Sequence, residues 1–544
     1  MQNEQQPTIL ASPPVGEDAA RLASQSLAQI IAYHERSKHR LDRYAAGPEA
    51  LDWDAQPNPF REFSGTPRIQ LPLVADTLTA RFDDLPDVVA PQPLTLDNVA
   101  ALLELSFGIS AWKQYGPDMW AVRCNPSSGN LHPTEAYVIC HQIAGIEDGL
   151  YHYISRDHTL ELRARFSASQ TDAPRLLVGI SSITWREAWK YGERAFRYCQ
   201  LDTGHAIGAL RYAAAALGWS LHVNNCSHQE LEQYLGLDRD SDFIGAEREE
   251  AELLMEITAA QSVVPFDSIQ EWQGQANILD AHHMYRWPVI DEVAEASRKI
   301  SVTASTIKHA ENYPPLKRNY ETKAATLIRQ RRSAQRFDAG RVQEADSFYR
   351  MLDALLSRHT APWDAWQETA RIHPVLFVHR ASGIAPGLYA LPRSHSALKQ
   401  MQSAMRSDFL WTKPAGCPEH LPLFLLAETN SNKAAKIMNC HQAIAGDSTF
   451  ALAMLAEFDA PLKDAPWNYR RLYWEAGLLG QVLYLEAEAA GLRGTGIGCF
   501  FDDVCHELLG LQDKTFQSLY HFTVGYPLTD ERIASLPSYP SLRS

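Results

Sequence analysis

No C-x-x-C pair occurs among the eight cysteines, which stand at positions 124, 140, 199, 226, 417, 440, 499 and 505. Their scatter argues against both a zinc site and a disulfide framework, so reduced thiols in a cytoplasm are expected. His282-His283 has neither carboxylate nor cysteine at ligand spacing, and no metal is expected. Positive charge is also short: a formal net charge of −15 leaves no basic face for nucleic acid, so no such partner is expected. Apolar runs never approach the roughly 18 residues that a membrane helix requires. The stretch MQNEQQPTILASPPVGEDAA lacks the basic and apolar regions of a signal peptide. No membrane partner is expected.

What the chain does have is length and one unusual turn. At 544 residues, with 45% hydrophobic and 21% charged, it exceeds what one hydrophobic core supports and implies two or more domains. The run Arg123-Cys124-Asn125-Pro126-Ser127-Ser128-Gly129-Asn130-Leu131-His132-Pro133 spells P-S-x-x-N-x-x-P ahead of an apolar strand, Ala136 to Cys140. Proline fixes chain direction, glycine permits unusual backbone angles, and serine and asparagine supply hydrogen bonds. Such a turn can hold a flat polar ring system edge-on.

The chain also repeats itself. Gly145-Ile146-Glu147-Asp148-Gly149-Leu150-Tyr151 returns as Gly383-Ile384-Ala385-Pro386-Gly387-Leu388-Tyr389, each after a strand-like run, and reads as a strand, tight turn and strand. Asp202, Gly204 and Gly218 match Glu475, Gly477 and Gly491 at a separation of 273, and Leu235-Gly236-Leu237 matches Leu509-Gly510-Leu511 at 274. Between the landmarks, Ala206, Leu210, Ala213 and Leu217 recur at helical spacing, as do Leu479, Leu483 and Ala490. A glycine closes each helix in the manner of a left-handed cap. Two homologous α+β domains are expected, at about 25–290 and 320–544, joined near Ser301 to Leu316.

These landmarks resemble the FMN-dependent nitroreductase superfamily, whose members form homodimers with flavin between subunits. The first half is similar to the SagB-type dehydrogenase branch, which includes azoline oxidases, through Tyr33-His34-Glu35-Arg36-Ser37-Lys38-His39, Arg43-Tyr44, Leu51-Asp52-Trp53 and Lys190-Tyr191-Gly192-Glu193-Arg194-Ala195-Phe196-Arg197-Tyr198. The second half resembles plain nitroreductases through Arg331-Arg332-Ser333-Ala334-Gln335-Arg336-Phe337 and Val524-Gly525-Tyr526-Pro527. The resemblance implies two nitroreductase-like domains, each a central antiparallel-rich sheet flanked by helices, folded into an intramolecular pseudo-dimer.

It also implies an asymmetric pair of sites. The second half carries one set of cofactor-binding positions: Arg332, Ser333, Arg336, Glu475, Gly477 and the turn Gly494-Thr495-Gly496-Ile497-Gly498. The first half carries the partner set, Pro126, Ser127, Ser128, Asn130 and His132, the last standing where a tyrosine is common. From Arg36 to Gly149 is 113 positions, whereas from Arg332 to Gly387 is 55. The shortened second half has no P-S-x-x-N turn, and the first half has Leu221-His222-Val223-Asn224-Asn225-Cys226 in place of the glycine-rich turn. One composite FMN site is therefore expected to survive. Arginines would clamp the phosphate, Ser333 add a donor, Gly494, Gly496 and Gly498 admit backbone N–H groups, and the serine–asparagine turn meet the ring edge.

In this family branch a K-Y pair is associated with catalysis, and Lys190 and Tyr191 match it. A lysine partly desolvated in an apolar pocket can act as a base, with tyrosine orienting the proton; the same residues also read as the polar face of a helix with core aromatics. Three functions stay open: an FMN-dependent oxidoreductase acting on a peptide azoline or related C–N bond, an NAD(P)H-dependent nitro or quinone reductase, and a flavin-less pseudoenzyme that serves as a binding subunit. Expected partners are a small-molecule or peptide substrate and biosynthetic proteins, with the chain a monomer or a homodimer of pseudo-dimers.

Overall fold

A computed structural model describes residues 15–87, 89–166, 174–257, 269–300, 311–366 and 368–542. Most of the expected join, 301–310, and residues 1–14 of the stretch weighed as a signal peptide lie outside them. Among the described residues no helix is long and apolar enough to cross a membrane.

Each half is built on an antiparallel sheet. The first orders strands Gly149–Ile154, Thr134–His141, Arg175–Ser182, Glu250–Glu256 and His222–Val223, with further strands beyond Gly149–Ile154. The second orders Gly387–Ala390, Ile372–Val378, Phe450–Glu457, Phe516–Gly525 and Arg493–Ile497, with Phe424–Glu428 beyond Gly387–Ala390. The five strands run in the same spatial order in both. Their central members are buried along nearly their whole length, with Glu457 at the end of Phe450–Glu457 partly exposed. Helices cover both faces, so these strands read as continuous apolar runs instead of alternating ones.

The repeated glycine–leucine–tyrosine turn has the same physical cause in both copies. Gly149 pairs with Cys140 and Gly387 with Val378. A Cβ on either would meet a neighbouring strand's carbonyl oxygen, of Ala164 at 2.5 Å or Ala427 at 2.3 Å. The tyrosine then closes its own turn, Tyr151 Oη donating to Glu147 O at 2.9 Å and Tyr389 Oη to Ala385 O at 2.7 Å. Gly218 and Gly491 follow the long helices with φ of 70° and 71°, and Gly236 and Gly510 cap the next helices with 67° and 78°.

The halves meet along two 22-residue helices. The first half contributes α1 (Val15–Arg36), α2 (Thr184–Tyr191) and the long α3 (Ala195–Ala216); the second contributes the long α4 (Asn468–Ala489) and α5 (Asp502–Leu509). Helix α3 is buried on every face, where the sequence pattern suggested a single apolar stripe, because it lies between its own sheet and α4. The crossing point is Gly204 on Gly477. A Cβ on Gly204 would lie 2.2 Å from Trp474 O, and one on Gly477 would lie 2.2 Å from Leu201 O. Arginines 273 positions apart flank it. Arg197 bonds Asp502 at 2.7 Å, and Arg470 reaches Glu252 at 2.7 Å and Glu250 at 2.5 Å, all buried or nearly so.

A three-stranded sheet adds a second seam. The hairpin Ile109–Tyr115 with Asp118–Arg123, from the first half, takes the late strand Ala534–Leu536 as its third member.

Candidate active site between the halves

A cavity of about 540 Å³ lies at this junction, within the ~300–1,000 Å³ of cofactor and small-molecule pockets. The turn at 125–132 forms one wall, residues 331–335 and 495–499 with Arg493 the other, and Tyr191, Tyr198, Asp202, His205, Tyr484 and Tyr520 the floor. The turn and the Arg332 region, distant in sequence, are thus brought together. Pro126, Ser127, Ser128, Asn130, His132, Tyr191, Arg332, Ser333, Gly496 and Gly498 line the cavity; Lys190, Arg336, Glu475, Gly477 and Gly494 do not.

The turn is tightly constrained. Gly129, Asn130 and His132 all have positive φ, 58°, 60° and 53°, a conformation costly for residues with a Cβ. Hydrogen bonds offset that cost. His132 N–H donates to Ser127 Oγ at 2.8 Å, Asn130 Nδ2 to Ala121 O at 2.8 Å, and Ser128 donates from N at 3.1 Å and Oγ at 3.0 Å to Asp202. The side chains expected to meet a ring edge are largely used in holding the turn. Gly129 is also fixed by packing, since a Cβ there would lie 2.4 Å from Tyr191 Oη. His132 is buried, its proton affinity held well below the imidazole range by burial and then by Arg123. Its Nδ1 has no hydrogen-bond partner among the described residues.

The glycine-rich turn works differently from expectation. Tyr484 Oη accepts from Gly496 N–H at 3.0 Å and bonds Ser333 Oγ at 2.9 Å, tying two walls together. Each glycine makes room for a ring: a Cβ on Gly494 would sit 2.6 Å from Phe522, on Gly496 1.8 Å from Tyr520 Oη, and on Gly498 2.0 Å from Tyr198. Glu475 and Gly477 serve the scaffold. Glu475 accepts backbone N–H bonds from Arg371 and Ile372 and pairs with Arg393, and Gly477 is the helix crossing. Arg336 is exposed and Arg36 pairs with Glu193. His283 stacks on Trp185 and bonds Glu247 at 3.1 Å.

One end of the cavity is cationic. Lys113, Arg331, Arg332 and Arg493 converge there. Burial lowers the proton affinity of Lys113, Arg331 and Arg332, and neighbouring cations lower each further. Arg332 is brought down to about 10. Its guanidinium donates to the carbonyls of Arg329, Arg331 and Ser110.

The floor holds groups the sequence reading missed. Asp202, one turn before His205 on α3, is buried, and burial pushes its carboxyl up to about 7 against the pull of the Ser127 and Ser128 bonds. His205 bonds Tyr520 Oη at 3.0 Å and Gln481 at 3.3 Å, and burial brings it down to about 3. On α2, Lys190 lies 5.7 Å from the Trp53 ring and 5.4 Å from that of Tyr191, and burial lowers its proton affinity. Glu187 opposes that shift, but it is fully buried with both oxygens unbonded, and burial raises its own carboxyl far above the usual range. The net effect on Lys190 is a lowered proton affinity.

Residues 328–526 match the Nitroreductase family. Over 138 residues the chain is 29% identical to MJ1384 of Methanocaldococcus jannaschii, a protein assigned as a nitroreductase, covering 23% of this chain and 66% of that protein. Over 197 residues it is 30% identical to the trifolitoxin-processing protein TfxB of Rhizobium leguminosarum bv. trifolii, covering 31% and 52%. The chain thus spans between half and two thirds of the curated relatives it matches. A solved structure from Anabaena variabilis, also assigned as a nitroreductase, superimposes with a TM-score of 0.66 over 92% of this chain and 99% of that one, at 20% identity. The fold is nitroreductase-like, with both halves accounted for by one known architecture.

Proposed function

We propose that this chain is an FMN-dependent oxidoreductase that holds one flavin in the composite cavity and dehydrogenates a peptide azoline or a related C–N bond. The observation that carries the reading is the convergence of Lys113, Arg331, Arg332 and Arg493 in a cavity that is also lined by the rigid polar turn. Glu488 lies against Arg331, Arg332 and Arg493 and offsets part of this charge; a phosphate close to dianionic meets the remainder with charge-assisted bonds. The unpartnered Nδ1 of His132 and Nε of Arg331 fit a flat polar ring system with an anionic tail.

When bound, FMN supplies a two-electron acceptor for a hydride. The chain's own residues do the rest. Tyr198 and Tyr520, seated on Gly498 and Gly496, shape the pocket. Tyr191, which lines the cavity and is fixed against Gly129, orients the proton that leaves substrate carbon, and Lys190, next to it and outside the cavity lining, is lowered by burial and takes that proton through Tyr191. Asp202, balanced near neutrality, can hold a proton at the cavity floor. Similarity to a trifolitoxin-processing protein supports a peptide substrate and biosynthetic partner proteins.

Flavin extraction tests this directly: FMN at about one per chain is expected. A value near two contradicts a single site, and a colourless protein favours a binding subunit. The match to the Nitroreductase family favours the reductase as second reading. Anaerobic NADH or NADPH bleaching the flavin rapidly would establish it, whereas indifference to both, with bleaching by an azoline peptide, supports the dehydrogenase.

A further inference from the structure

Cys440 and Cys499, 59 positions apart in sequence, are neighbours in the fold. Cys499 follows the glycine-rich strand and lines the cavity. Cys440 sits in a turn after the helix Asn432–Met438, where it and His441 take positive φ of 51° and 60°. The two segments are clamped together: Phe501 N–H donates to Met438 O at 2.8 Å, and Gln442 Nε2 to Cys499 O at 3.1 Å. The clamp sets the two cysteines side by side, so that each thiol acts on the other's proton affinity. Both are only partly buried, whereas Cys124, Cys140, Cys199 and Cys505 are fully enclosed.

The surroundings differentiate the pair. His39 Nδ1 accepts the Ala45 N–H at 3.0 Å, which leaves Nε2–H as the donor that faces the Cys499 sulfur. Arg194 donates to Gly498 O at 3.2 and 3.0 Å, placing a guanidinium beside Cys499, with Asp502 balancing part of its charge. Tyr44 lies beside Cys440 and packs on His39 and Phe501. The Cys440 thiol, then His39 and Arg194, hold the Cys499 thiol below its usual range, while Cys440 is driven above it. A lowered, reachable thiolate beside a second thiol is the arrangement of attacking and resolving cysteines.

We propose that Cys440 and Cys499 form a redox-active dithiol at the rim of the cavity, with Cys499 attacking and Cys440 resolving, and that it takes low-molecular-weight disulfides as substrate. The Cys499 thiolate attacks one sulfur of the disulfide, forming a mixed disulfide and expelling the other half as a thiolate, which takes up a proton. Cys440 gives up its proton, attacks the Cys499 sulfur and releases the second thiol. One disulfide is reduced to two thiols, and the Cys440–Cys499 dithiol is oxidised to a disulfide. Oxidation withdraws a thiol from the cavity wall, whatever the cavity holds.

The test uses the full chain, reduced, desalted and exposed to oxidised glutathione, with intact-mass and peptide-mapping readouts. Wild type is expected to lose two hydrogens and yield a cross-linked 440–499 peptide. Cys440→Ser is expected to retain one glutathione on Cys499, and Cys499→Ser to do neither. On wild type, limiting iodoacetamide at pH 6.5 should alkylate Cys499 at least ~10-fold faster than the half-buried Cys226 and Cys417. No cross-link, a glutathione held on Cys440, or alkylation no faster than at Cys226 and Cys417 would overturn the proposal.

Discussion

Replacing Asp202 with asparagine should change how stability depends on pH, in a direction opposite to that of most carboxylates. Its folded-state pKa is raised to about 7 because burial outweighs the bonds from Ser127 and Ser128. Between the unfolded value, about 4, and 7, the folded chain binds a proton that the unfolded chain does not. The stability tied to this group is therefore intact below pH 4 and declines as pH rises, levelling off above 7. A span of about three pH units corresponds to roughly 4 kcal/mol in full, of which about 2–3 kcal/mol falls between pH 5 and 8.5. Asparagine cannot ionise yet still accepts the Ser128 N–H. The stability of Asp202→Asn minus that of wild type should thus rise by about 2–3 kcal/mol across that window, as order of magnitude. Urea unfolding of both flavin-free proteins at pH 5, 6, 7 and 8.5 measures it, and taking the difference cancels every other titrating group. A flat difference, or one that falls with pH, refutes the argument that burial dominates at the cavity floor.

Other outcomes can be checked more simply. Arg332→Ala should abolish flavin retention in absorbance of the purified protein, whereas Arg36→Ala, which breaks only the Glu193 pair, should leave it intact. Gly477→Ala places a Cβ 2.2 Å from the Leu201 carbonyl, a backbone atom that cannot yield, so soluble folded protein should be lost in size-exclusion runs. Gly491→Ala, with φ of 71° and open space around it, should cost only about 1–2 kcal/mol in denaturant titration. Lys190→Gln should lower the rate of flavin reduction by substrate about 100-fold or more with flavin content unchanged; Lys190→Arg, too basic to give up its proton, should not rescue it.

The pseudo-dimer was legible because its landmarks are backbone necessities. Gly149 and Gly387, Gly218 and Gly491, and Gly236 and Gly510 stand where a Cβ would collide or where φ is positive, so their spacing survives divergence between the halves. The serine–asparagine turn and Arg332 stand out through unusual residue types in a short span, and both line the one cavity. Individual roles were harder to read. Glycine in a ligand loop and glycine beneath an aromatic ring look alike in sequence: Gly496 and Gly498 line the cavity, and Gly494, Gly496 and Gly498 also seat Phe522, Tyr520 and Tyr198. Glu475 was matched to a cofactor site, yet its counterpart Asp202 lies on the cavity floor, because only the first half keeps the turn that Asp202 holds. Lys113 belongs to a hairpin with no motif, and only the fold carries it to the cationic end. Cys440 and Cys499 meet through two turns whose approach no spacing rule records.

The strand Ala534–Leu536, paired with a hairpin that begins at Ile109, sets when the pocket can come into being. Lys113 and Ser535 touch across 422 positions, and residues 527–535 supply part of the wall. During synthesis, the first half can build its sheet and stiffen its turn long before that strand leaves the ribosome. Closing so long a loop adds little entropy beyond that of a shorter one, so the delay is one of order and not of energy. This strand acts as a latch, and the cavity wall is complete only once it docks on the hairpin.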